Sequence, residues 1–186
     1  MDLPWGDEKT LQFVTNVGLI TSDGPNGPNI MAAEWTHHVS YSPGLIAVCV
    51  GFGKATLENI QETKEFGVSL ASIEQNVVAS IAGGASGHDI DKIAVLKELG
   101  FKFYPGKKIK TLMVEGAALN AECKLVKEIT LGDHMMLVGE VIETASPQRE
   151  PVAYHKGMYW RLERSVEKPS EKERERIRAV VEKHKK

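Results

Sequence analysis

Apolar residues along this chain fall into short runs in the first half and alternate with polar ones through much of the second. LQFVTNVGLITS reads as a strand, DGPNGPN as a turn built of glycine, proline and asparagine, and NIMAAEWT as the next strand. HHVSYSPG reads as a loop and LIAVCVG as a fully buried strand. ATLENIQETKE puts Leu57 and Ile60 at helical spacing, and FGVSLAS returns to strand. Residues 74–83 and 91–99 read as helices; in the second, Ile93, Leu96 and Leu99 share a face and Gly100 can end it. LNAECKLVKEITLGDHMMLVGEVIETA alternates on both sides of a glycine turn, with Cys123 and Leu125 on one face and Glu122 and Lys124 on the other. That pattern predicts a long antiparallel hairpin. AYHKGMYWRL reads as a last strand. Pro169, Ser170 and Glu173 then open a charged helix at about 170–185 whose thin apolar stripe is Ile177, Val180 and Val181.

Many short strands joined by hairpins, with a few helical inserts, predict a mainly β fold with helices, a β-barrel and not a doubly wound sheet. At 186 residues the whole chain, 1–186, is most simply a single domain. Its net charge of −2 and the absence of a concentrated basic patch argue against nucleic acid as a partner. MDLPWGDEK has no secretory pattern and no apolar run reaches membrane-spanning length, so the expectation is a cytoplasmic protein without a membrane partner. Cys49 and Cys123 are isolated; Cys49, within LIAVCV, reads as a buried and inert thiol.

The segment VCVGFGKATLENI carries the clearest chemical question. Glycines before a helix start let backbone N–H groups face an anion. A Walker A loop is excluded because Ala55 separates Lys54 from Thr56 and Val48 stands where the first glycine belongs. A Rossmann fingerprint is excluded because Thr56 replaces the third glycine. Thr56 is then either a plain N-cap or an anion ligand, with Lys54 beside it. His37 and His38 are adjacent in an extended segment, which directs them to opposite sides and makes a shared metal a poor reading. In LGDH a turn accounts for Gly132 and Asp133, whereas His134 is open to either a structural or a proton-transferring role. The tail interleaves glutamates with its basic residues and reads as a solvated helix.

Taken in order, NIMAAEWTHHVSYSPGLIAVCVGFGKATLENIQETKEFGVSLAS, SGHDIDKIAVLKELGF, ALNAECKLVKEITLGDHMMLVGEV and YHKGMYW resemble the flavin reductase-like, flavoredoxin-type FMN-binding proteins. The likeness runs from about NVGLITS to about MYWRL. It implies a Greek-key split β-barrel, a homodimer, FMN as cofactor and NADH or NADPH as electron donor. By resemblance, Met31, Ala32, Ala33 and Trp35 flank the isoalloxazine, and Cys49, Val50 and Gly51 add backbone contacts. Lys54 and Thr56 reach the phosphate, His134 lies near the flavin or nicotinamide as the catalytic residue, and Asn29, Thr36 and Ser69 complete the cofactor-binding set. Ser69 stands where many relatives carry asparagine, and HHVS replaces an apolar-proline version. The function expected is an FMN-binding oxidoreductase that takes hydride from NAD(P)H and passes electrons to flavin, ferric iron or a protein acceptor. The alternative is an FMN-containing electron carrier, or a flavin-binding module, without turnover.

Overall fold

Alternation of apolar positions gives several strands of this fold one dry face, and the order in which the strands pair decides where that face goes. The computed structural model describes residues 2–185. In chain order the elements are β1 (Thr15–Asn16), β2 (Gly18–Ser22), β3 (Asn29–Ala33), β4 (Thr36–Tyr41), β5 (Gly44–Gly51), α1 (Ala55–Thr63) and β6 (Glu65–Leu70). There follow α2 (Asn76–Gly84), α3 (Lys92–Glu98), β7 (Phe103–Pro105), β8 (Leu112–Val114), β9 (Leu119–Leu131), β10 (His134–Ala145), β11 (Val152–His155), β12 (Met158–Arg161) and α4 (Glu171–Lys183).

Seven strands form one antiparallel sheet in the order β3-β2-β6-β9-β10-β5-β4. The connection from β5 through α1 to β6 jumps across the β9–β10 hairpin, a Greek-key step. The edge strands β3 and β4 are joined only by Glu34 and Trp35. Such a short link forces the sheet to curl until its two edges meet. Accordingly Ile20 and Ala33 from one side share a single buried cluster with Ile46, Val48 and Val50 from the other, with Phe66 and Leu137 between them. A second buried layer lies outside the barrel, where Val78, Ala79 and Ala82 of α2 and Ile93 and Leu96 of α3 pack on Leu19 and Ile30.

Three segments differ from the sequence reading. HHVSY is not a loop: it forms most of β4, whose side chains are mostly exposed, so its composition mimics a loop while its backbone pairs with β5. AYHKGMYWRL is a hairpin of β11 and β12, turned at Lys156 and Gly157 with φ of 51° and 74°. LQFVTNVGLITS is interrupted, because the Thr10 hydroxyl donates to the carbonyls of Pro4 and Asp7 and draws Thr10–Gln12 into a 3₁₀ turn before β1 and β2 begin. The tail helix carries the expected capping box, with reciprocal Ser170 and Glu173 bonds, and buries none of its residues. Among the described residues no helix is long and apolar enough to cross a membrane.

Within the barrel Gly139 lies against an aromatic ring. A Cβ there would stand 2.5 Å from Phe66 Cζ and 2.8 Å from Cys123 Cβ. Gly139→Ala therefore overpacks the core, and urea unfolding should show a loss of about 1–3 kcal/mol.

Candidate functional site

The turn from β5 into α1 presents an unusual number of free donors. Lys54, in an extended conformation, is the N-cap of α1 and makes no side-chain cap. Its carbonyl accepts from Leu57 N (2.9 Å) and Glu58 N (3.3 Å), while the amides of Gly53, Lys54, Ala55 and Thr56 have no protein acceptor among the described residues. The N-cap reading of Thr56 is thereby corrected: Thr56 lies inside the first turn. Buried, its Oγ1 accepts from Asn29 Nδ2 at 2.8 Å, so its own proton has no partner among the described residues. Four amides and a hydroxyl proton thus gather at the positive end of a helix dipole.

The loop between α2 and α3 walls this turn. A Cβ on Gly87 would fall 2.6 Å from Asn29 Oδ1, so only glycine allows the backbone to pass this close. The His88 ring reaches the Gly53 carbonyl (3.3 Å) and the Glu58 carboxylate (3.6 Å). Two lysines add charge. Lys54 is exposed, whereas Lys92 is buried and donates to the carbonyls of Ala82 (3.1 Å) and Ala85 (3.2 Å). Burial, and then the charge of Lys54, bring the Lys92 ammonium down to about 8. The sequence reading missed Gly87, His88 and Lys92. Lys92 left a trace, since it stands four residues before Leu96 on the apolar stripe of its helix, where a solvated lysine does not belong.

Beside the turn lies a ring-lined surface. His134 pairs with Gly51 and Met136 with Cys49, so His134, Gly51 and Cys49 share the outer face of β5 and β10. The Trp35 ring stacks at a tilt on His134, with centroids 4.6 Å apart. Trp35 itself is held by its carbonyl, which accepts from Cys49 N at 3.0 Å. Hydrogen bonding to His134 holds the Asp133 carboxyl below the usual carboxylate range. An ionised carboxylate only accepts, so the 2.7 Å contact assigns the proton to His134 Nδ1 and leaves Nε2 free. A Cβ on Gly51 would stand 3.7 Å from that Nε2 and 3.8 Å from Lys54 Cε, which ties the histidine, the lysine and the glycine turn into one site. Trp5 of the N-terminal arm joins from outside, donating to Glu34 at 3.2 Å.

The remaining residues divide by strand face. Met31, Ala33 and Val50 point into the barrel core. Ala32 points outward beneath α2, 3.3 Å from where a Cβ on Gly83 would be. Only backbone can therefore be common to these positions, and β3, paired to β2 alone, has alternate backbone groups open along its other edge. Thr36 donates to the Ala33 carbonyl at 3.1 Å and closes the link between β3 and β4. Ser69 is buried in the outer layer, bonded to Asn120, which in turn donates to the Val114 carbonyl. Cys49 is half-buried and not sealed as the sequence suggested; desolvation raises its thiol above the ordinary range. His37 and His38 also depart from expectation: a bulge after His38 leaves the two rings 4.7 Å apart and not on opposite sides.

Residues 10–163 match the family described as "Flavin reductase like domain". An uncharacterised protein of Archaeoglobus fulgidus is 34% identical over 119 residues, which are 64% of this chain and 66% of that protein. The "FMN reductase (NADH)" of Agrobacterium fabrum is 24% identical, with 82% of each chain aligned. Among solved structures, the NADH:FAD oxidoreductase of Streptomyces globisporus superposes with a TM-score of 0.75 at 24% identity, covering 88% of this chain and 99% of the other. At that identity the likeness speaks for the split-barrel fold.

The Asn29–Thr56 bond is the structural anchor of the turn. Thr56→Val leaves the Asn29 amide buried without an acceptor, and the protein should lose about 1–3 kcal/mol in urea. Thr56→Ser keeps the hydroxyl and should recover most of that loss.

Proposed function

Since the chain belongs to the flavin reductase-like family, we propose that it binds FMN and acts as an NAD(P)H-dependent oxidoreductase with free flavin, ferric iron or a protein as acceptor. One observation carries this reading: the free amides of Gly53 to Thr56, the unpaired Thr56 proton and Lys54 converge at one helix start. This donor set, four backbone N–H groups, one hydroxyl and one lysine, fits a single phosphate monoester. When bound, the flavin supplies the centre that accepts hydride from NADH or NADPH and releases electrons to the acceptor.

The chain's own residues then bind, orient and manage protons. The turn fixes the phosphate end. Past Val48, where the ladder between β4 and β5 stops, backbone toward Gly51 other than the Cys49 amide, together with the open edge of β3, is available to the polar edge of the ring system, because no side chain intervenes at Gly51. Asp133 holds the imidazole of His134 through Nδ1, so that Nε2 can accept a proton, or donate one once protonated, on the ring-lined surface. Trp35 backs that imidazole and is itself 56% exposed. Phe52, Val39 and Tyr41 are exposed nearby on β4 and the β5–α1 turn. A second copy of this chain, forming a homodimer, would cover such aromatic surface.

Three measurements test the proposal. Charge-assisted bonds to phosphate contribute roughly 1.5–3 kcal/mol each, so Lys54→Ala should weaken FMN by about tenfold or more and leave riboflavin nearly unchanged. Equal losses for both flavins would remove the phosphate assignment. His134→Ala should slow reduction by NADH or NADPH in stopped flow while FMN affinity is retained; an unchanged rate would reduce His134 to a turn residue. Sedimentation should give a dimer, and a monomer that keeps FMN on dilution would exclude a subunit-covered site.

A further inference from the structure

Lys92 is a buried cation without a counter-charge among the described residues. It is 2% exposed, and two of its three N–H donors go to the carbonyls of Ala82 and Ala85 at the C-terminal end of α2. Partial negative charge at a helix end steadies an ammonium but does not neutralise it. The elements packed on α3 supply no acid: neither α2 nor β3 contains an ionisable side chain. On its own segment, Asp91 caps α3 by accepting from Ala94 N, and Lys97 and Glu98 lie at the far end of the helix. In the preceding loop, His88 faces Glu58. The charge that does act on Lys92 is another cation, Lys54, across the glycine turn. Geometry ties Lys92 to the same turn: its ammonium holds the Ala85 carbonyl, and two residues on, Gly87 lies against Asn29, which donates to Thr56 Oγ1 at the helix start.

We propose that Lys92 is the proton-storing floor of the phosphate site, so that binding a phosphate-bearing flavin takes up a proton that binding riboflavin does not. This inference rests on the phosphate site proposed above. The physical reason is symmetrical. Burial and Lys54 favour the neutral amine, holding the free-state value at about 8, whereas a dianion at the turn favours the ammonium. The anion therefore binds best to protein whose Lys92 is charged. That fraction falls as pH rises through the free-state value, and affinity falls with it. A phosphate monoester is already largely dianionic above about pH 7, so the ligand adds little slope of its own. Lys92 acts here by its charge on the bound phosphate and needs no contact with the ring.

The test is calorimetric titration of the flavin-free protein with FMN, riboflavin and inorganic phosphate, from about pH 7 to about pH 9.5, in buffers of differing ionisation enthalpy. Expected are a net proton uptake with FMN near about pH 8.5 and a loss of FMN affinity of roughly tenfold between about pH 7 and about pH 9. Riboflavin should show neither. Lys92→Met should flatten the FMN profile, and Lys92→Arg, charged throughout, should flatten it while keeping the preference for FMN. The wild-type proton count needs no variant, so a poorly folding Lys92→Met does not remove the test. FMN preferred over riboflavin by a pH-independent ratio overturns the proton linkage and leaves the phosphate site standing. Equal affinity for FMN and riboflavin at every pH overturns both.

Discussion

Everything in this fold follows from a two-residue link. Glu34 and Trp35 join the opposite edges of a seven-stranded sheet, and no flat sheet can satisfy so short a connection. The sheet must roll, and once rolled it has an inside that only apolar side chains can fill. The seam is closed by the chain itself and by local bonds, chiefly Thr36 to the Ala33 carbonyl and Asn16 to the Thr36 carbonyl. It is not closed by a strand ladder. Backbone groups along the seam are therefore left without partners, and the site develops beside it, with Trp35 as its marker.

The donor-rich turn and the ring-lined surface are products of the same geometry. β5 delivers Cys49 and Gly51 beside the start of β10 at His134, then releases the chain into α1. The Asn29–Thr56 bond fastens the start of that helix to the seam strand β3. Most donors of the turn are backbone amides, so its shape tolerates substitution of many side chains. The electrostatics does not share that tolerance, because it depends on two lysines at opposite depths.

Much of this was legible in the sequence, for a physical reason: alternation and capping are local. The β9–β10 hairpin announced itself by period-two patterning, and α4 by Ser170 and Glu173. β4 did not, because an exposed edge strand has no dry face to produce a pattern, and HHVSY is composed like a loop. The hairpin of β11 and β12 was hidden in one short segment, AYHKGMYWRL, whose turn at Lys156 and Gly157 carries none of the commonest hairpin-turn pairs. Lys54, Thr56 and His134 could be singled out from local chemistry, but the Trp35–His134 contact joins positions far apart in the chain and has no local signature. The face assignment of Ser69 was equally invisible, since it depends on which neighbour, Asn120, the sheet sets beside it. Lys92 shows the opposite case: its trace was present as a lysine on an apolar stripe, and only burial gives that trace meaning.

The terminal helix α4 has a consequence for how the protein would look on heating. It lies beyond the matched family region and buries no residue. Burial of apolar surface is the source of the heat capacity of unfolding, so α4 contributes almost nothing to it. A thirteen-residue helix held by its cap and by Glu171–Arg174 and Glu171–Arg178 pairs is near the margin of independent helix formation. Circular dichroism would register α4 while a calorimeter would not. Ellipticity lost below the main heat-absorption peak would thus belong to the tail, with the barrel still intact.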